Sequence, residues 1–148
     1  MKLRNIPFSP PDMTEAEVNE VREAILSGWI TTGPKTKEFE RLIAIGCQTK
    51  KAVALNSATA AMELTLRVLG VGPGDEVIVP AITFLATMAY PLSVGCKLVF
   101  ADVDPKTLNM DPRDVERKIT DKTKLVIPVH MGGYPVDMDP IMELARKH

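Results

Sequence analysis

Several signals that would assign a function directly are missing from this sequence. Its lysines and arginines are scattered and the formal net charge is −1, so no surface for nucleic acid is expected. The patterns GxxxxGK[ST] and GxGxxG are absent, which excludes a P-loop and counts against a dinucleotide-binding domain. The 148 residues contain no internal repeat, and their 45% hydrophobic content suits one globular domain.

Cysteine and long membrane-like runs are also scarce. Cys47 and Cys96 are the only cysteines, without a CxxC spacing or a secretory leader, which predicts free, mostly buried thiols in a reducing cytosol. One uncharged run, residues 77–96, is long enough to span a bilayer. Because Pro80 and Pro91 interrupt this run, we expect a strand followed by a buried helix, and no membrane contact.

From residue 51 onward, short apolar runs alternate with helical segments. The predicted strands are residues 52–55, 76–79, 97–101 and 124–129. Runs that are apolar throughout are typical of a parallel sheet covered by helices on both faces. The expected fold class is therefore α/β, with N-terminal helices followed by a mostly parallel sheet. Pro128 should bulge the last strand or end its pairing early, because proline has no N–H to donate.

The order of these elements suggests two parts. Residues 1–34 are predicted to form an N-terminal helix and a loop, and residues 35–148 a partial α/β domain. The last helix still carries apolar residues where the sequence stops, so we expect the sheet to be truncated after its fourth βα unit. Such a sheet exposes an edge and an uncovered face, which predicts dimerisation or aggregation.

Candidate binding residues follow the predicted strands, since ligands bind at the carboxyl ends of strands in an open parallel sheet. Residues 56–60, Asn-Ser-Ala-Thr-Ala, open a helix directly after a strand, which presents backbone N–H groups to an anion. The alternative is that Ser57 is only a helix cap. Phe84, after the second strand, is either a ring that stacks on a flat ligand or a core residue.

Acidic and imidazole side chains follow the third and fourth strands. Asp102 and Asp104 are candidates for metal binding or acid catalysis, although Asp-x-Asp-Pro at a strand end is more typical of a turn. His130 either contacts a ligand or satisfies the end of its strand. The residues alone leave both interpretations open.

Six stretches, taken in order, resemble the DegT/StrS-type sugar aminotransferases, a branch of the fold type I pyridoxal-phosphate enzymes. They are residues 28–34, 56–61, 72–80, 83–87, 100–105 and 127–133. Each stretch is weak alone, whereas the ordered set covers nearly the whole chain and is specific. The resemblance implies that residues 35–148 are part of the large, cofactor-binding domain of such an enzyme.

The resemblance also implies roles for individual residues. Four residues at a helix start would hold the phosphate of pyridoxal 5′-phosphate: Ser57, Ala58, Thr59 and Ala60. The pyridine ring would stack on Phe84, with His130 close to it. Four loop residues would border the sugar pocket: Trp29, Thr31, Thr32 and Gly33. Because the family usually forms homodimers with shared active sites, that pocket can belong to the partner subunit.

By resemblance, the intact enzyme is a cytoplasmic transferase of polysaccharide biosynthesis. It moves an amino group from a donor such as glutamate to a keto group of a nucleotide-linked sugar. The family's covalent lysine and its pyridine-pairing aspartate lie beyond the region that this chain matches, so the chain alone is predicted to be inactive and to bind the cofactor weakly. The alternatives are a non-catalytic binding or interaction module with the same fold, and a fragment of a related pyridoxal-phosphate-dependent sugar dehydratase.

Overall fold

The computed structural model describes residues 7–148. Its helices are α1 (Glu15–Leu26), α2 (Pro34–Gly46), α3 (Ala58–Val68), α4 (Ala86–Ser93), α5 (Pro112–Lys118) and α6 (Met138–Lys147). Its strands are β1 (Glu76–Pro80), β2 (Lys97–Ala101) and β3 (Thr123–Val126), and a 3-10 turn spans Met131–Gly133. The chain divides into two compact units, Met1–Ala54 and Leu55–His148, called below the N-terminal unit and the sheet unit. The functional division predicted at residue 34 stays a prediction.

Local sequence signals set where several helices begin. Before α1, the Thr14 N–H donates to the Glu17 carboxylate at 2.6 Å, which completes a capping box. Helices α2 and α5 open with Pro34 and Pro112, a position where the missing N–H has no intrahelical partner. The Asp111 carboxylate caps α5. These helix starts confirm the sequence prediction.

The sheet of the sheet unit is parallel, with β1 between β2 and β3. All five residues of β1 are buried, as expected for a central strand covered on both faces. The last ladder bond of β3 joins the Ile127 N–H to the Ile78 carbonyl at 2.9 Å. Pro128 follows at once and has no N–H, so the pairing ends early as predicted.

Helices cover both faces of this sheet, which confirms the predicted α/β class. Successive side chains of a strand point to opposite faces, and β1 accordingly contributes to two cores. One core packs α5 and α6 on the sheet and contains Ile78, Ala101, Met110, Val115, Val136 and Ile141. The other packs α3 and α4 and contains Leu66, Val71, Val77, Val79 and Cys96.

One predicted strand, residues 52–55, is not a strand in the structure. Val53 is 72% exposed and Leu55 43%, and the Ala54 N–H donates to the Glu40 carboxylate at 2.8 Å instead of to a ladder. Within residues 7–148 the sheet has three strands, and none of them pairs with this run. An apolar run forms a strand only where a neighbouring strand satisfies its backbone groups.

Two expectations from composition have different outcomes. The uncharged run 77–96 folds as β1 and the short helix α4, a strand followed by a helix as predicted, although only Thr87 and Pro91 of α4 are buried. No helix in the described part of the chain is long and apolar enough to cross a membrane. Cys96 is buried, whereas Cys47 is exposed. The prediction of burial was wrong for Cys47 because it is the C-cap of α2, where the last turn faces solvent.

The buried carboxylate of Asp114 joins α5 to the end of β2. It accepts the Asp102 N–H at 2.6 Å and pairs with Lys118 at 2.7 Å and Arg117 at 2.8 Å. These donors, Lys118 first and then the Asp102 N–H, hold the pKa of Asp114 far below its usual range. The ionised carboxylate therefore stabilises the connection between helix and sheet.

Replacing Asp114 by asparagine should lower the free energy of unfolding by about 2–3 kcal/mol at neutral pH, since charge-assisted bonds are lost. The pKa is depressed in the folded state, so the stabilisation is complete above the unfolded pKa and declines as pH falls below about 4. Urea unfolding of Asp114→Asn against wild type across pH measures this, with exposed Glu116→Gln on the same helix as a control within about 0.5 kcal/mol. A stability difference that stays constant down to acid pH contradicts the assignment.

Candidate functional site

The predicted site residues of the sheet unit lie along the carboxyl edge of the sheet. A short connection, residues 69–75, joins the end of α3 to the start of β1. Leu66 of α3 packs with Val77 and Val79 of β1. Helix α3 therefore runs opposite to β1, and its first turn lies at the edge where the parallel strands end. Ligands of open parallel sheets bind at this edge.

The first turn of α3 has two unused hydrogen-bond donors. Ser57 is the N-cap, with extended backbone at φ −162° and ψ 155°, and its Oγ accepts the Ala60 N–H at 3.1 Å. Among the described residues, no acceptor takes the N–H of Ala58 or Thr59. Ser57 is thus a helix cap, and the turn that it caps still presents free N–H groups and the positive end of the helix dipole to an anion.

Phe84 lies on the surface between β1 and α4. Its side chain is 79% exposed, so the interpretation as a core phenylalanine is wrong. The adjoining segment is fixed, because the Thr83 hydroxyl donates to the Thr87 hydroxyl at 2.8 Å and Thr87 is buried. The structure thus holds an aromatic ring in solvent after a strand end, where its face is open to a flat ligand.

His130 follows β3 and is exposed. Its Nδ1 accepts the Val136 N–H at 3.0 Å, so Nδ1 carries no proton. The neutral imidazole is then protonated at Nε2, which becomes a hydrogen-bond donor to its surroundings. One ring nitrogen satisfies the loop after the strand, and the other remains for a ligand.

Sequence reasoning missed Asn109, a buried residue of the same edge. It is 5% exposed. Its Oδ1 accepts the Met131 N–H at 3.0 Å, and its Nδ2 donates to the carbonyls of Tyr134 and Pro135, both at 3.1 Å. No motif or periodicity in the sequence marks Asn109, because all of these partners are distant along the chain.

The carboxylates after β2 form turns, as predicted. Asp104 Oδ1 accepts the N–H groups of Lys106 at 2.8 Å and Thr107 at 3.1 Å, and Asp102 Oδ1 accepts the Val103 N–H at 2.8 Å. Within residues 7–148, no three histidine, cysteine or acidic side chains are grouped to hold a metal ion. Both aspartates therefore stabilise local turns of the backbone.

Lysine is absent from three of the segments that form this edge, whereas the turn after β2 contains the exposed Lys106. Residues 55–60, 81–85 and 127–136 contain none. Lys97 is the first residue of β2, at the opposite edge, and pairs with the Glu76 carboxylate at 2.8 Å. No amine in these segments is placed to attack a carbonyl group bound at the carboxyl edge.

The predicted sugar-binding loop lies in the N-terminal unit and forms its own cavity. The Trp29 indole Nε1 donates to the Thr32 carbonyl at 2.9 Å and lies over Gly33. The structure brings three of the four predicted residues to a cavity of about 410 Å³, lined by Glu23, Ala24, Ser27, Trp29, Thr31, Gly33, Pro34 and Lys35. The Thr32 carbonyl accepts the bond from Trp29, and Thr32 does not line the cavity.

Alanine at Gly33 should displace the indole. An added Cβ would lie 1.8 Å from Trp29 Nε1, so the ring must move and its bond to Thr32, worth about 1 kcal/mol, is lost. Because Trp29 is the only tryptophan, a longer emission wavelength and faster acrylamide quenching report the change. The control Gly46→Ala, with nothing within 4 Å of its Cβ, should leave emission unchanged. Identical spectra for Gly33→Ala and wild type contradict this packing.

The fold and its edge define a class: an α/β chain whose parallel sheet presents a helix start, an exposed aromatic ring and an imidazole at its carboxyl edge. The sequence profile of the DegT/DnrJ/EryC1/StrS aminotransferase family matches residues 11–148. The chain belongs to this family, which confirms the predicted resemblance.

Individual relatives agree with the family assignment. The chain is 46% identical over 143 residues to the spore coat polysaccharide biosynthesis protein SpsC of Bacillus subtilis, and 44% identical over 143 residues to the UDP-4-amino-4-deoxy-L-arabinose–oxoglutarate aminotransferase of Shewanella sediminis. These matches cover 97% of this chain and 37% of each relative. The chain therefore spans little more than a third of the length of these relatives.

Solved structures of the family share the fold. Spr1654 of Streptococcus pneumoniae, which carries the name of a sugar aminotransferase, superposes in its PLP form with a TM-score of 0.90 and 54% identity, over 97% of this chain and 37% of that one. The aminotransferase of Psychrobacter cryohalolentis gives a TM-score of 0.88 and 41% identity, over 96% and 37%. The fold of this chain is therefore shared with aminotransferases.

Proposed function

We propose that this chain is the phosphate- and ring-binding part of a pyridoxal-phosphate-dependent aminotransferase acting on a nucleotide-linked keto sugar, with glutamate as amino donor. One observation carries the proposal: the free N–H groups of Ala58 and Thr59 lie at the sheet edge that also presents the exposed ring of Phe84. The PLP and PMP forms of Spr1654 support the choice of cofactor.

The residues at this edge fit the chemistry of pyridoxal 5′-phosphate. A phosphate dianion matches two free N–H donors at the positive end of α3, with the Ser57 and Thr59 hydroxyls beside them. A pyridine ring matches an open phenylalanine face. When bound, the cofactor would supply a carrier for the amino group and an electron-accepting ring.

The contributions of this chain to catalysis are binding, orientation and water exclusion. In the proposal, Ala58 and Thr59 anchor the phosphate, and Ala60 supports them through its bond to Ser57. Phe84 covers one face of the ring and keeps water from it. His130 donates its Nε2–H to an oxygen of the cofactor or the substrate. None of these groups is an amine that could bond covalently to the cofactor, as the lysine of the family does. We therefore assign no catalytic residue to the chain.

The name of one relative supports the proposed sugar and amino donor. The Shewanella protein carries a name that combines a UDP-linked amino sugar with oxoglutarate, and oxoglutarate becomes glutamate when it gains an amino group. We place the sugar of this chain against the loop residues Trp29, Thr31, Thr32 and Gly33, because an indole face beside hydroxyl and carbonyl groups suits a polyhydroxylated ring.

A homodimer is part of the same proposal. Helices α1 and α2 contain no buried residue in the structure, although they carry apolar side chains that are more than half exposed: Val18, Val21, Ile25, Phe39 and Leu42. Apolar surface of this extent favours association.

The free thiols Cys47 and Cys96 support the prediction of a reducing, cytoplasmic setting.

Titration of the chain with pyridoxal 5′-phosphate tests the proposal. We expect one cofactor per chain with a Kd on the order of 0.1 mM, equivalent to about 5.5 kcal/mol, and competition by inorganic phosphate. Mixtures with glutamate and a UDP-linked 4-keto sugar should show no amino transfer. Absence of binding at millimolar cofactor overturns the proposed site, and a stoichiometric mass gain after borohydride treatment overturns the predicted lack of a reactive lysine.

A further inference from the structure

The loop that carries His130 needs support from outside itself. Between His130 and Val136 it contains two consecutive glycines with left-handed backbone, Gly132 at φ 59° and Gly133 at φ 84°. Glycine pairs of this kind gain nothing from side-chain packing and have many alternative conformations. Within the loop, short backbone bonds join the Gly133 N–H to the His130 carbonyl at 3.1 Å and the Tyr134 N–H to the Met131 carbonyl at 3.0 Å.

Asn109 supplies that support. One amide oxygen and one amide nitrogen bind three backbone groups of the loop, at Met131, Tyr134 and Pro135. An asparagine amide has two N–H donors and an acceptor oxygen, so both donors and the acceptor are used on this loop. Because the amide is buried, the cost of leaving any of these groups unpaired is high.

The position of Asn109 is itself fixed by the turn after β2. Its N–H donates to the Thr107 hydroxyl at 3.3 Å, and its carbonyl accepts the Asp104 N–H at 2.9 Å. The next residue, Met110, forms a bridge with Val103 and is buried. The amide is therefore a rigid point from which the loop is held.

We propose that Asn109 is a positioning residue for His130, an inference that rests on the proposed function for the identity of the ligand. By holding Met131, Tyr134 and Pro135, Asn109 brings the Val136 N–H to His130 Nδ1. This bond keeps Nδ1 unprotonated, so the ring presents Nε2–H as a donor toward the cofactor edge of the sheet. Asn109 thus sets the tautomer and the direction of an imidazole that it does not touch.

The test is a direct reading of the His130 tautomer in the full chain, without cofactor. Long-range 1H–15N spectra at about pH 8 should show wild-type His130 protonated at Nε2. Asn109→Ala should give a mixture of tautomers, and the Val136 amide should exchange with solvent roughly tenfold faster or more. Asn109→Asp keeps an acceptor for Met131 but removes both donors, and should show the same changes if Asn109→Ala does not fold.

Two controls separate positioning from general stability. Asp114→Asn weakens the sheet unit at another buried polar residue and should leave the His130 spectrum as in wild type. His148, the second histidine, should be unchanged in every variant. A folded Asn109 variant whose His130 tautomer and Val136 exchange are as in wild type overturns the proposal. A mixture of His130 tautomers or faster Val136 exchange in Asp114→Asn also overturns it.

The ligand arm of the experiment distinguishes this inference from the proposed function. Asn109→Ala should weaken pyridoxal 5′-phosphate binding severalfold while inorganic phosphate binds as in wild type, because the α3 turn is untouched. Wild-type chain that binds no pyridoxal 5′-phosphate refutes the proposed function, while the tautomer change still supports the positioning role. Cofactor binding with an unmoved tautomer refutes the positioning role and leaves the proposed function standing.

Discussion

Proline in place of Ala58 is expected to weaken the binding of pyridoxal 5′-phosphate by roughly tenfold to a hundredfold while leaving α3 intact. The substitution deletes one N–H that would meet a charged phosphate oxygen, a bond worth about 1.5–3 kcal/mol. Ala58 is the first residue of the helix, where proline is tolerated. The extended backbone of Ser57, at φ −162° and ψ 155°, already suits the residue before a proline.

The chain itself supplies a comparison for this variant, since α2 and α5 begin with proline. Glu15→Pro places the same residue at the start of α1 and should change neither stability nor cofactor affinity. Thermal unfolding and a shift titration with pyridoxal 5′-phosphate measure both quantities. An Ala58→Pro chain that folds like wild type and binds the cofactor with the same Kd removes the α3 turn from the site.

Replacing Phe84 by alanine should weaken cofactor binding about tenfold, because an aromatic stack contributes roughly 0.5–1.5 kcal/mol beyond buried area. The free energy of unfolding should change by less than about 0.5 kcal/mol, since the ring is 79% exposed. A phenylalanine of the core would give the reverse pattern, with a loss of stability of several kcal/mol.

Matched variants sharpen the Phe84 experiment. Phe39→Ala removes an exposed ring, 56% accessible, from α2 and should leave cofactor binding as in wild type. Phe84→Tyr keeps an aromatic face and should bind nearly as well as wild type. Equal Kd values for Phe84→Ala and wild type, with both chains folded, exclude a stacking role.

Helix starts were predictable from the sequence because their causes are local. The Thr14 and Glu17 capping box, and prolines at the first helical residue, act over one helical turn. The apolar run of β1 was equally clear, since a doubly covered strand needs apolar residues throughout. The run 52–55 has the same composition, yet it lacks a partner strand, and pairing is a property of distant residues.

For the candidate site, the sequence indicated which segments contribute to it but not the contacts that their side chains make. Strand ends and a helix start indicated Ser57 and Phe84, because chain order determines which edge of a parallel sheet each segment reaches. The exposure of Phe84 and the bond from Val136 to His130 depend on packing between remote elements. Asn109 was missed for the same reason, since its partners follow it by more than twenty residues.

The most direct test compares pyridoxal 5′-phosphate with pyridoxal, which lacks the phosphate, in 1H–15N spectra of the 15N-labelled chain. We expect the phosphate-bearing compound to shift the amide signals of Ala58 and Thr59 strongly, because their free N–H groups receive the dianion. Pyridoxal at the same concentration should leave both signals nearly unmoved. Shifts that avoid Ala58 and Thr59, or that are equal for the two compounds, contradict a phosphate site at the start of α3.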